Sequence, residues 1–265
     1  MKILYVGDIM ATPGIEIVEQ LLPQLRTDYD IDLVLAQAEN VSEGKGITPA
    51  DMQRLRVAGV NAFTAGNHSL SRPEIHDAMN DPAQPIIRPA NYPVGTPGLG
   101  YKYVDTPLGK VLFMSLLGHI VGRDADKLVD NPLQVIDKIL AVETDTEKIA
   151  TVVNFHGDFS SEKVIIGHYL DGRASLVVGD HWHVPTADAR VLPKGTAHMT
   201  DVGMCGVLDS SLGVTFDSVI PRWRDGTQTR NVMATEGPRQ FNAVLVTIDT
   251  ATGRAQSVEH IQRII

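Results

Sequence analysis

The chain has 265 residues, a length that fits one large domain or two small ones. Hydrophobic residues make up 43% and charged residues 21% of the chain, so its composition excludes a disordered protein and is typical of a globular one. Lys and Arg total 23 against 32 Asp and Glu, and the formal net charge of −9 argues against general nucleic-acid binding, which depends on neutralising phosphates.

The cysteine content and the lengths of the apolar runs are typical of a protein of the cytoplasm. Cys205 is the single cysteine, which excludes a disulfide framework and fits a reducing environment. The first apolar run stops at Asp8, too early for a signal peptide, and no stretch reaches the roughly 18 apolar residues of a membrane span. We therefore expect a cytoplasmic protein with no membrane association. Because no repeat or linker-like segment interrupts the chain, we treat residues 1–265 as a single domain.

Apolar runs and helical patterns alternate in the first third of the chain. Three apolar runs predict buried strands, at Ile3–Val6, Ile31–Ala38 and Val60–Ala65. Helices are predicted from about Pro13, after Thr48 as N-cap with Pro49 at the first helical position, and over Arg72–Met79. This order predicts an α/β layer with parallel strands.

The rest of the chain follows a different pattern. Pro85–Gly100 is rich in proline and glycine and predicts an irregular segment. The elements expected after it are a hairpin at Tyr101–Asp105 and Lys110–Leu116, a helix at Asn131–Glu143, a strand at Ile149–Phe155, a helix at Ser160–Leu170, a strand at Ser175–Val178, and antiparallel strands at Phe241–Asp249 and Gln256–Ile264. We therefore predict an α/β fold in which two mixed sheets pack together and helices flank them.

Polar side chains follow five of the predicted strands. The segments are Gly7-Asp8, Glu39-Asn40, Gly66-Asn67-His68, His156, and Asp180-His181-Trp182-His183. Because ligands of open α/β sheets bind at the carboxyl ends of the strands, we expect these side chains to share one edge. His181 and His183 are alternate residues of what we predict to be an extended segment, so their side chains should project the same way.

Each segment alone has a structural explanation. Asp8 could cap a turn, Glu39-Asn40 could be a solvated loop, and His156 could be a hydrogen-bonded structural histidine. Together they form a set of carboxylate, amide and imidazole ligands that suits iron, manganese or zinc. The set is too large for one tetrahedral ion and suits two ions that share a carboxylate, an arrangement that supports in-line displacement at phosphorus.

The Gly7-Asp8, Gly66-Asn67-His68 and His181-x-His183 motifs resemble those of the metallophosphoesterase (calcineurin-like) superfamily. That superfamily commonly has a histidine two residues after the first aspartate and a second Gly-Asp motif, whereas this chain has Met10 and Ala38-Glu39-Asn40. The departure is similar to the YmdB-type branch, bacterial proteins that act as 2′,3′-cyclic nucleotide phosphodiesterases. Further matching segments spread the resemblance over nearly the whole chain, among them Gly44-Lys45-Gly46, Arg88-Pro89-Ala90-Asn91 and Thr200-Asp201-Val202-Gly203-Met204.

The resemblance implies a four-layer αββα sandwich and a role for each ligand. Asp8 and His183 would hold the first metal ion, Glu39 would bridge both ions, and the second ion would be completed by Asn40, Asn67, His156 and His181. His68 would be the general acid that protonates the leaving oxygen. The implied cofactors are two divalent ions, with iron favoured over manganese or zinc.

The resemblance also implies the reaction and the partners. A metal-bound hydroxide would attack phosphorus in line, and the substrate would be a 2′,3′-cyclic nucleotide or a related small phosphodiester. Relatives often form homo-oligomers, so we expect self-association as well.

Two segments depart from the matching motifs, and one further residue is a candidate for substrate binding. Asp180 stands where relatives usually have threonine, and Gly157-Asp158-Phe159 stands where they usually read Ala-Glu-Ala. Both segments lie beside predicted metal ligands, so the metal preference or the substrate range of this chain could differ from that of its relatives. Arg173 is a candidate substrate-binding residue because a guanidinium matches phosphate geometry, and an ordinary salt bridge is the alternative.

Two other functions fit parts of the pattern. Asp8 could be the nucleophile of an aspartyl-phosphate phosphatase, but that chemistry requires an acid two residues later, where Met10 stands. A non-catalytic regulatory or scaffold protein could retain the same fold with a structural metal site. The presence of every candidate ligand, and of His68, argues against this alternative.

Overall fold

Two mixed β-sheets pack face to face, and helices cover both outer faces. The computed structural model describes residues 1–122, 125 and 128–265. In chain order the strands are β1 (Lys2–Val6), β2 (Asp8–Ile9), β3 (Leu33–Gln37), β4 (Ala62–Thr64), β5 (Tyr101–Thr106), β6 (Gly109–Leu117), β7 (Ala150–His156), β8 (Leu176–Asp180), β9 (Arg190–Val191), β10 (Ala197–Met199), β11 (Met204–Val207), β12 (Arg239–Asp249) and β13 (Arg254–Ile264). The helices are α1 (Ala11–Asp28), α2 (Pro49–Ala58), α3 (His76–Asn80), α4 (Pro132–Val142), α5 (Ser160–Tyr169) and α6 (Phe216–Asp225). The predicted α/β fold with two flanked sheets is confirmed.

Each sheet combines parallel and antiparallel strands. The first has the order β2-β11-β12-β1-β3-β4, with β13 paired to β12, and within it β1, β3 and β4 are parallel. The second has the order β5-β6-β7-β8-β10-β9, and within it β6, β7, β8 and β10 are parallel. The parallel strands of a sheet end at one edge, and the loops after them carry the polar segments found in the sequence.

Alternation along the strands divides their side chains between two cores. In β1, Ile3 and Tyr5 are buried between the sheets, whereas Leu4 and Val6 pack with residues of α1 and α2. Helices α4 and α5 cover the outer face of the second sheet in the same way. A strand that is buried on both faces reads as a continuous apolar run, which is why the sequence predicts β1 and β3.

Helix boundaries follow the capping residues. Thr48 caps α2, because its Oγ1 accepts a hydrogen bond from Asp51 N at 3.2 Å, and Pro49 is the first helical residue as predicted. Helix α1 begins at Ala11, two residues before the predicted start at Pro13. In the described ranges no helix is both long and apolar enough to cross a membrane.

The C-terminal elements are only partly predictable. The predicted hairpin is confirmed as β5 and β6, and the predicted antiparallel pair as β12 and β13. The sequence patterns do not predict β9, β10, β11 or α6. These strands have two to four residues, too few to show a period, and α6 exposes its large apolar side chains instead of burying them.

Candidate functional site

The carboxyl ends of β1, β3 and β4 in the first sheet meet those of β7 and β8 in the second. Side chains from the two sheets touch there: His156 Nε2, at the end of β7, lies 2.9 Å from Asn67 Oδ1, which follows β4. The predicted ligands from all five strand ends contact one another in two groups. The structure therefore brings the seven predicted ligands to one place.

The first group contains Asp8, Asn40 and His183. Asn40 Nδ2 lies 3.1 Å from Asp8 Oδ1 and 3.2 Å from His183 Nε2, and His183 Nε2 lies 3.7 Å from Asp8 Oδ2. The other ring nitrogen of His183, Nδ1, donates to the Leu212 carbonyl at 3.2 Å. This hydrogen bond orients the imidazole so that Nε2 faces the carboxylate.

The second group contains Glu39, Asn67, His156 and His181. His156 Nε2 lies 3.0 Å from Glu39 Oε1, and the rings of His156 and His181 have centroids 4.5 Å apart. Asn40 Nδ2 lies 3.4 Å from Glu39 Oε1. Glu39 and Asn40 are consecutive residues, so the loop after β3 joins the two groups.

Left-handed backbone, and not strand alternation, brings His181 and His183 to the site. Strand β8 ends at Asp180, and the φ angles of His181 and His183 are 102° and 62°. The prediction of an extended segment is therefore wrong, although both imidazoles reach the cluster. Non-glycine residues in this region cost about 1–3 kcal/mol each, so the surrounding contacts must hold them. One such contact is the hydrogen bond that His181 N donates to Asp8 Oδ2 at 3.1 Å.

A buried ion pair lies beneath this loop. Lys163 Nζ is 2.7 Å from Asp201 Oδ2 and also donates to the Asp180 carbonyl at 2.6 Å. Trp182 N donates to Asp201 Oδ2 at 2.9 Å, and the Trp182 ring covers the Lys163 ammonium at 3.9 Å. Because both charges are buried and bonded to the loop backbone, the pair fixes the path of the chain between the two histidines.

His68 lies at the rim of the cluster. Its backbone N–H donates to Glu39 Oε2 at 3.1 Å, and its Nδ1 lies 3.0 Å from Asn40 Oδ1. One fifth of its side chain is exposed, against 1% for Glu39. His68 can therefore meet a ligand that enters from solvent while staying hydrogen-bonded to Glu39 and Asn40 in the loop after β3.

Burial and opposing charges shift the pKa values across the site. Burial, with the charge of Asp180, raises the pKa of the Asp8 carboxyl well above its usual range. Burial acts against ionisation of Glu39 too, but the charge and hydrogen bond of His156 hold its pKa below the ordinary value. Burial and the charge of His156 lower the pKa of His181 to about 4. His181 is therefore neutral near pH 7 and carries a lone pair for a cation.

The donor set fits divalent metal ions. The ligand atoms of Glu39, His156 and His181 all lie within 4.8 Å of one another, and so do those of Asp8, His156 and Asp180. His181 Nδ1 is buried and has no hydrogen-bond partner among the described residues. A bound cation would satisfy this nitrogen and offset the buried carboxylates, whose oxygen donors suit iron, manganese or zinc.

Arg173 does not join the cluster. It precedes β8 and so lies at the end of that strand opposite to the end that carries His181. Its guanidinium donates to Asp137 Oδ1 at 2.6 Å and lies 5.1 Å from the centroid of the Tyr169 ring. The structure therefore supports the interpretation that Arg173 forms a salt bridge, and not that it contacts a substrate phosphate.

A hydrogen-bond network that the sequence patterns do not predict surrounds Asp180. Asp180 is fully buried, and its Oδ2 accepts hydrogen bonds from Tyr5 Oη at 3.0 Å, Gln37 Nε2 at 2.9 Å and Asn154 Nδ2 at 2.5 Å. Gln37 ends β3 and Asn154 lies within β7, and most residues of both strands are apolar. A buried polar side chain requires a partner, so these two polar residues are the signal that could have revealed the network.

Comparisons with known proteins extend over the whole fold. A family model described as YmdB-like protein matches residues 4–261. The 2′,3′-cyclic-nucleotide 2′-phosphodiesterase of Bacillus subtilis (strain 168) is 39% identical over 261 residues, which cover 98% of this chain and 96% of the relative. The crystal structure of a novel phosphatase from Mycoplasma pneumoniae has a TM-score of 0.91 at 29% identity, covering 100% of this chain and 93% of that chain. The crystal structure of a hypothetical protein from Thermus thermophilus has a TM-score of 0.89 at 35% identity and covers 100% of this chain and 99% of that chain.

Proposed function

This chain belongs to the YmdB-like protein family, and on that premise we propose that it is a metal-dependent phosphodiesterase that hydrolyses 2′,3′-cyclic nucleotides. The Bacillus subtilis relative carries that activity in its name. The chemistry of the clustered side chains supports the same reaction class, because carboxylate and imidazole ligands at one sheet edge suit metal-assisted attack on phosphorus.

The position of Glu39 is the observation that carries the proposal. Its Oε1 lies 3.0 Å from His156 Nε2 in the second group, and the adjacent Asn40 contacts Asp8 and His183 in the first. A carboxylate between two sets of ligands is what two neighbouring cations require as a bridge.

We assign the ligands of the two ions from these contacts. Asp8 and His183 would hold the first ion, Glu39 would contribute to both, and Asn67, His156 and His181 would hold the second. Asn40 contacts Asp8 and His183, so its geometry favours the first ion, whereas the family resemblance implies the second. Iron is the favoured metal, with manganese or zinc as alternatives that the same donors accept.

His68 serves as the general acid in this proposal. Two divalent ions, when bound, would supply positive charge to the phosphate and activate a water molecule for attack. The contacts of His68 N with Glu39 and of Nδ1 with Asn40 fix the ring, so Nε2 is the nitrogen that transfers the proton. As the water oxygen bonds to phosphorus, the bond to the leaving sugar oxygen breaks, and that oxygen takes the proton. The cyclic phosphate opens to a nucleoside monophosphate.

Hydrolysis assays with metal analysis on the same preparation test the proposal. We compare 2′,3′-cyclic AMP with 3′,5′-cyclic AMP and p-nitrophenyl phosphate, and expect selective turnover of the 2′,3′ ring with about two ions per chain. Two bound ions without turnover of the 2′,3′ ring would contradict the substrate but keep the metal site. No bound ion and no turnover after reconstitution with manganese or iron would favour a regulatory or scaffold protein.

A cytoplasmic location and self-association are further parts of the proposal. The single cysteine, which is buried, motivates the first. Fractionation of cells that produce the protein tests the location, and light scattering on the purified protein tests its oligomeric state.

A further inference from the structure

The three histidines of the cluster differ in what holds their second ring nitrogen. His183 Nδ1 donates to a backbone carbonyl, and His181 Nε2 lies 3.3 Å from the partly exposed side chain of Asp158. His156 Nδ1, by contrast, donates to Asp180 Oδ1 at 2.6 Å, and both side chains are fully buried. His156 is therefore the imidazole with a buried carboxylate directly behind it.

The surroundings of Asp180 fix its carboxylate in one orientation. Oδ1 accepts the hydrogen bond of His156, while Oδ2 accepts three, from Tyr5, Gln37 and Asn154. The three donors are neutral and come from three different strands. They stabilise a buried negative charge without neutralising it, so the charge acts on His156.

The backbone of Asp180 is held as firmly as its side chain. Lys163 Nζ donates to the Asp180 carbonyl, and the ammonium is paired with the buried Asp201 carboxylate. The carboxylate behind His156 is thus anchored at both ends of the residue, which leaves it little freedom to rotate towards another partner.

We propose that Asp180 is a positioning residue that holds His156 with its proton on Nδ1, directs Nε2 at Glu39 and Asn67, and strengthens Nε2 as a ligand of the second metal ion. The inference rests on the proposed function, in which His156 binds that ion. A carboxylate hydrogen-bonded to the distal nitrogen of a metal-binding histidine fixes its tautomer and raises its basicity.

Direct coordination by Asp180 is the competing arrangement, since its ligand atoms lie within 4.8 Å of those of Asp8 and His156. The hydrogen bonds argue against it. Coordination through Oδ2 would displace donors from three buried side chains, and coordination through Oδ1 would release the proton of His156. Unpaired buried donors of this kind cost about 1–3 kcal/mol each.

Titration of chelator-treated protein with Co²⁺, followed by visible absorption, measures the effect on metal binding without relying on activity. The variant is Asp180→Asn, and the matched control is Asp171→Asn, which removes a buried carboxylate that accepts hydrogen bonds from Lys194 N and Thr196 N outside the cluster. We expect two binding steps in the wild type. In Asp180→Asn one step should weaken by about 10–100-fold, and Asp171→Asn should keep both.

The outcomes separate this inference from the proposed function. Wild-type affinities in folded Asp180→Asn would overturn the positioning role, as would equal weakening of both steps or an equal loss in Asp171→Asn. A wild-type protein that binds no Co²⁺ would overturn the proposed two-metal function itself.

A measurement on the wild type covers the case in which Asp180→Asn does not fold. With ¹⁵N-labelled histidine, we expect the His156 ring to carry a proton on Nδ1 both before and after metal is added. Addition of Zn²⁺ should shift the Nε2 resonance and leave the Nδ1 proton in place. Loss of the Nδ1 proton on addition of Zn²⁺, or a Zn²⁺-induced shift at Nδ1 instead of Nε2, would refute the proposal.

Discussion

His68 is held by the loop that carries Glu39, the proposed bridging residue. Its backbone bonds to Glu39 Oε2 and its ring to Asn40 Oδ1, and one fifth of its side chain is exposed, whereas His156 and His183 are buried. At the residue scale, the proposed mechanism therefore assigns proton transfer and metal binding to different side chains. Loss of one should leave the other measurable.

We expect His68→Gln to lower kcat by about 10²–10⁴-fold, the range that general acid catalysis contributes, while the metal content stays at the wild-type value. Steady-state kinetics and metal analysis on the same protein measure both. His76→Gln is the matched control, because His76 begins α3 and contacts only the Leu70 carbonyl among the hydrogen bonds described for it. A variant at His68 that loses its metal ions would show that this histidine is a ligand and not an acid.

At the element scale, the turn after β4 passes so close to the site that residue 66 has no room for a side chain. This explains why glycine stands there. A Cβ atom at this position would overlap the Glu39 carboxylate and the ring of His156, which come from opposite sheets. The absence of a side chain therefore lets three strand ends meet. A turn glycine predicted from the sequence alone gives no hint of this contact, because the neighbours come from distant parts of the chain.

Gly66→Ala should consequently displace Glu39 or His156 and lower kcat/KM on the order of 10²-fold, the effect of misplacing catalytic groups by about 1 Å. Weaker metal binding should accompany the loss. Gly157→Ala is the control, since its Cβ would meet nothing closer than Gly118 Cα at 3.2 Å although it directly follows His156. Equal activity of the two variants would mean that the loop after β4 adjusts without cost.

At the level of strands and loops, part of the site can be predicted from the sequence and part cannot. Strand ends that carry Asp8, Glu39, Asn67 and His156 are readable because continuous apolar runs mark buried strands and polar residues mark where they stop. The left-handed backbone at His181 is not readable, because contacts with distant residues hold it. The same is true of the short strands β9 and β10, which exist only through pairing with β8 and with each other. Whether Arg173 faces the site depends on which end of β8 it occupies. Motif matching compares residue types and does not consider their position along a strand.

At the scale of the whole molecule, the site lies at the interface between the two sheets. Asp8 lies in the first sheet and Glu39 and Asn67 follow its strands, whereas His156 ends a strand of the second sheet and His181 follows another. The bond from Gln37 to Asp180 also crosses between them, beneath the ligands. That residues 1–265 form a single domain stays a prediction, and the pairing of β1 with β12 supports it.

Metal ions should therefore stabilise the fold as well as the reaction. The sheets present buried carboxylates to each other, and burial raises the pKa of Asp8, so the protein alone compensates its charged form poorly and a bound cation would stabilise it. We expect a chelator to lower Tm by several degrees and Mn²⁺ to restore it, since an ion at 100 times its Kd contributes about 2.7 kcal/mol. Differential scanning fluorimetry measures the shift, and Mg²⁺ at equal ionic strength controls for salt. An unchanged Tm on chelation would indicate that metal binding does not contribute to the stability of the packed sheets.

The pairing of β1 with β12 sets an order of events during protein synthesis. Asp8 leaves the ribosome before β11 and β12 do, but its strand β2 pairs with β11, and β1 pairs with residues 239–249. Until that stretch has emerged, the apolar edge of β1 has no antiparallel partner and the carboxylate of Asp8 has no fixed position. Binding of the proposed metal ions would then be a late step, and a nascent chain stalled before β12 would expose a strand edge that is prone to chaperone binding or aggregation.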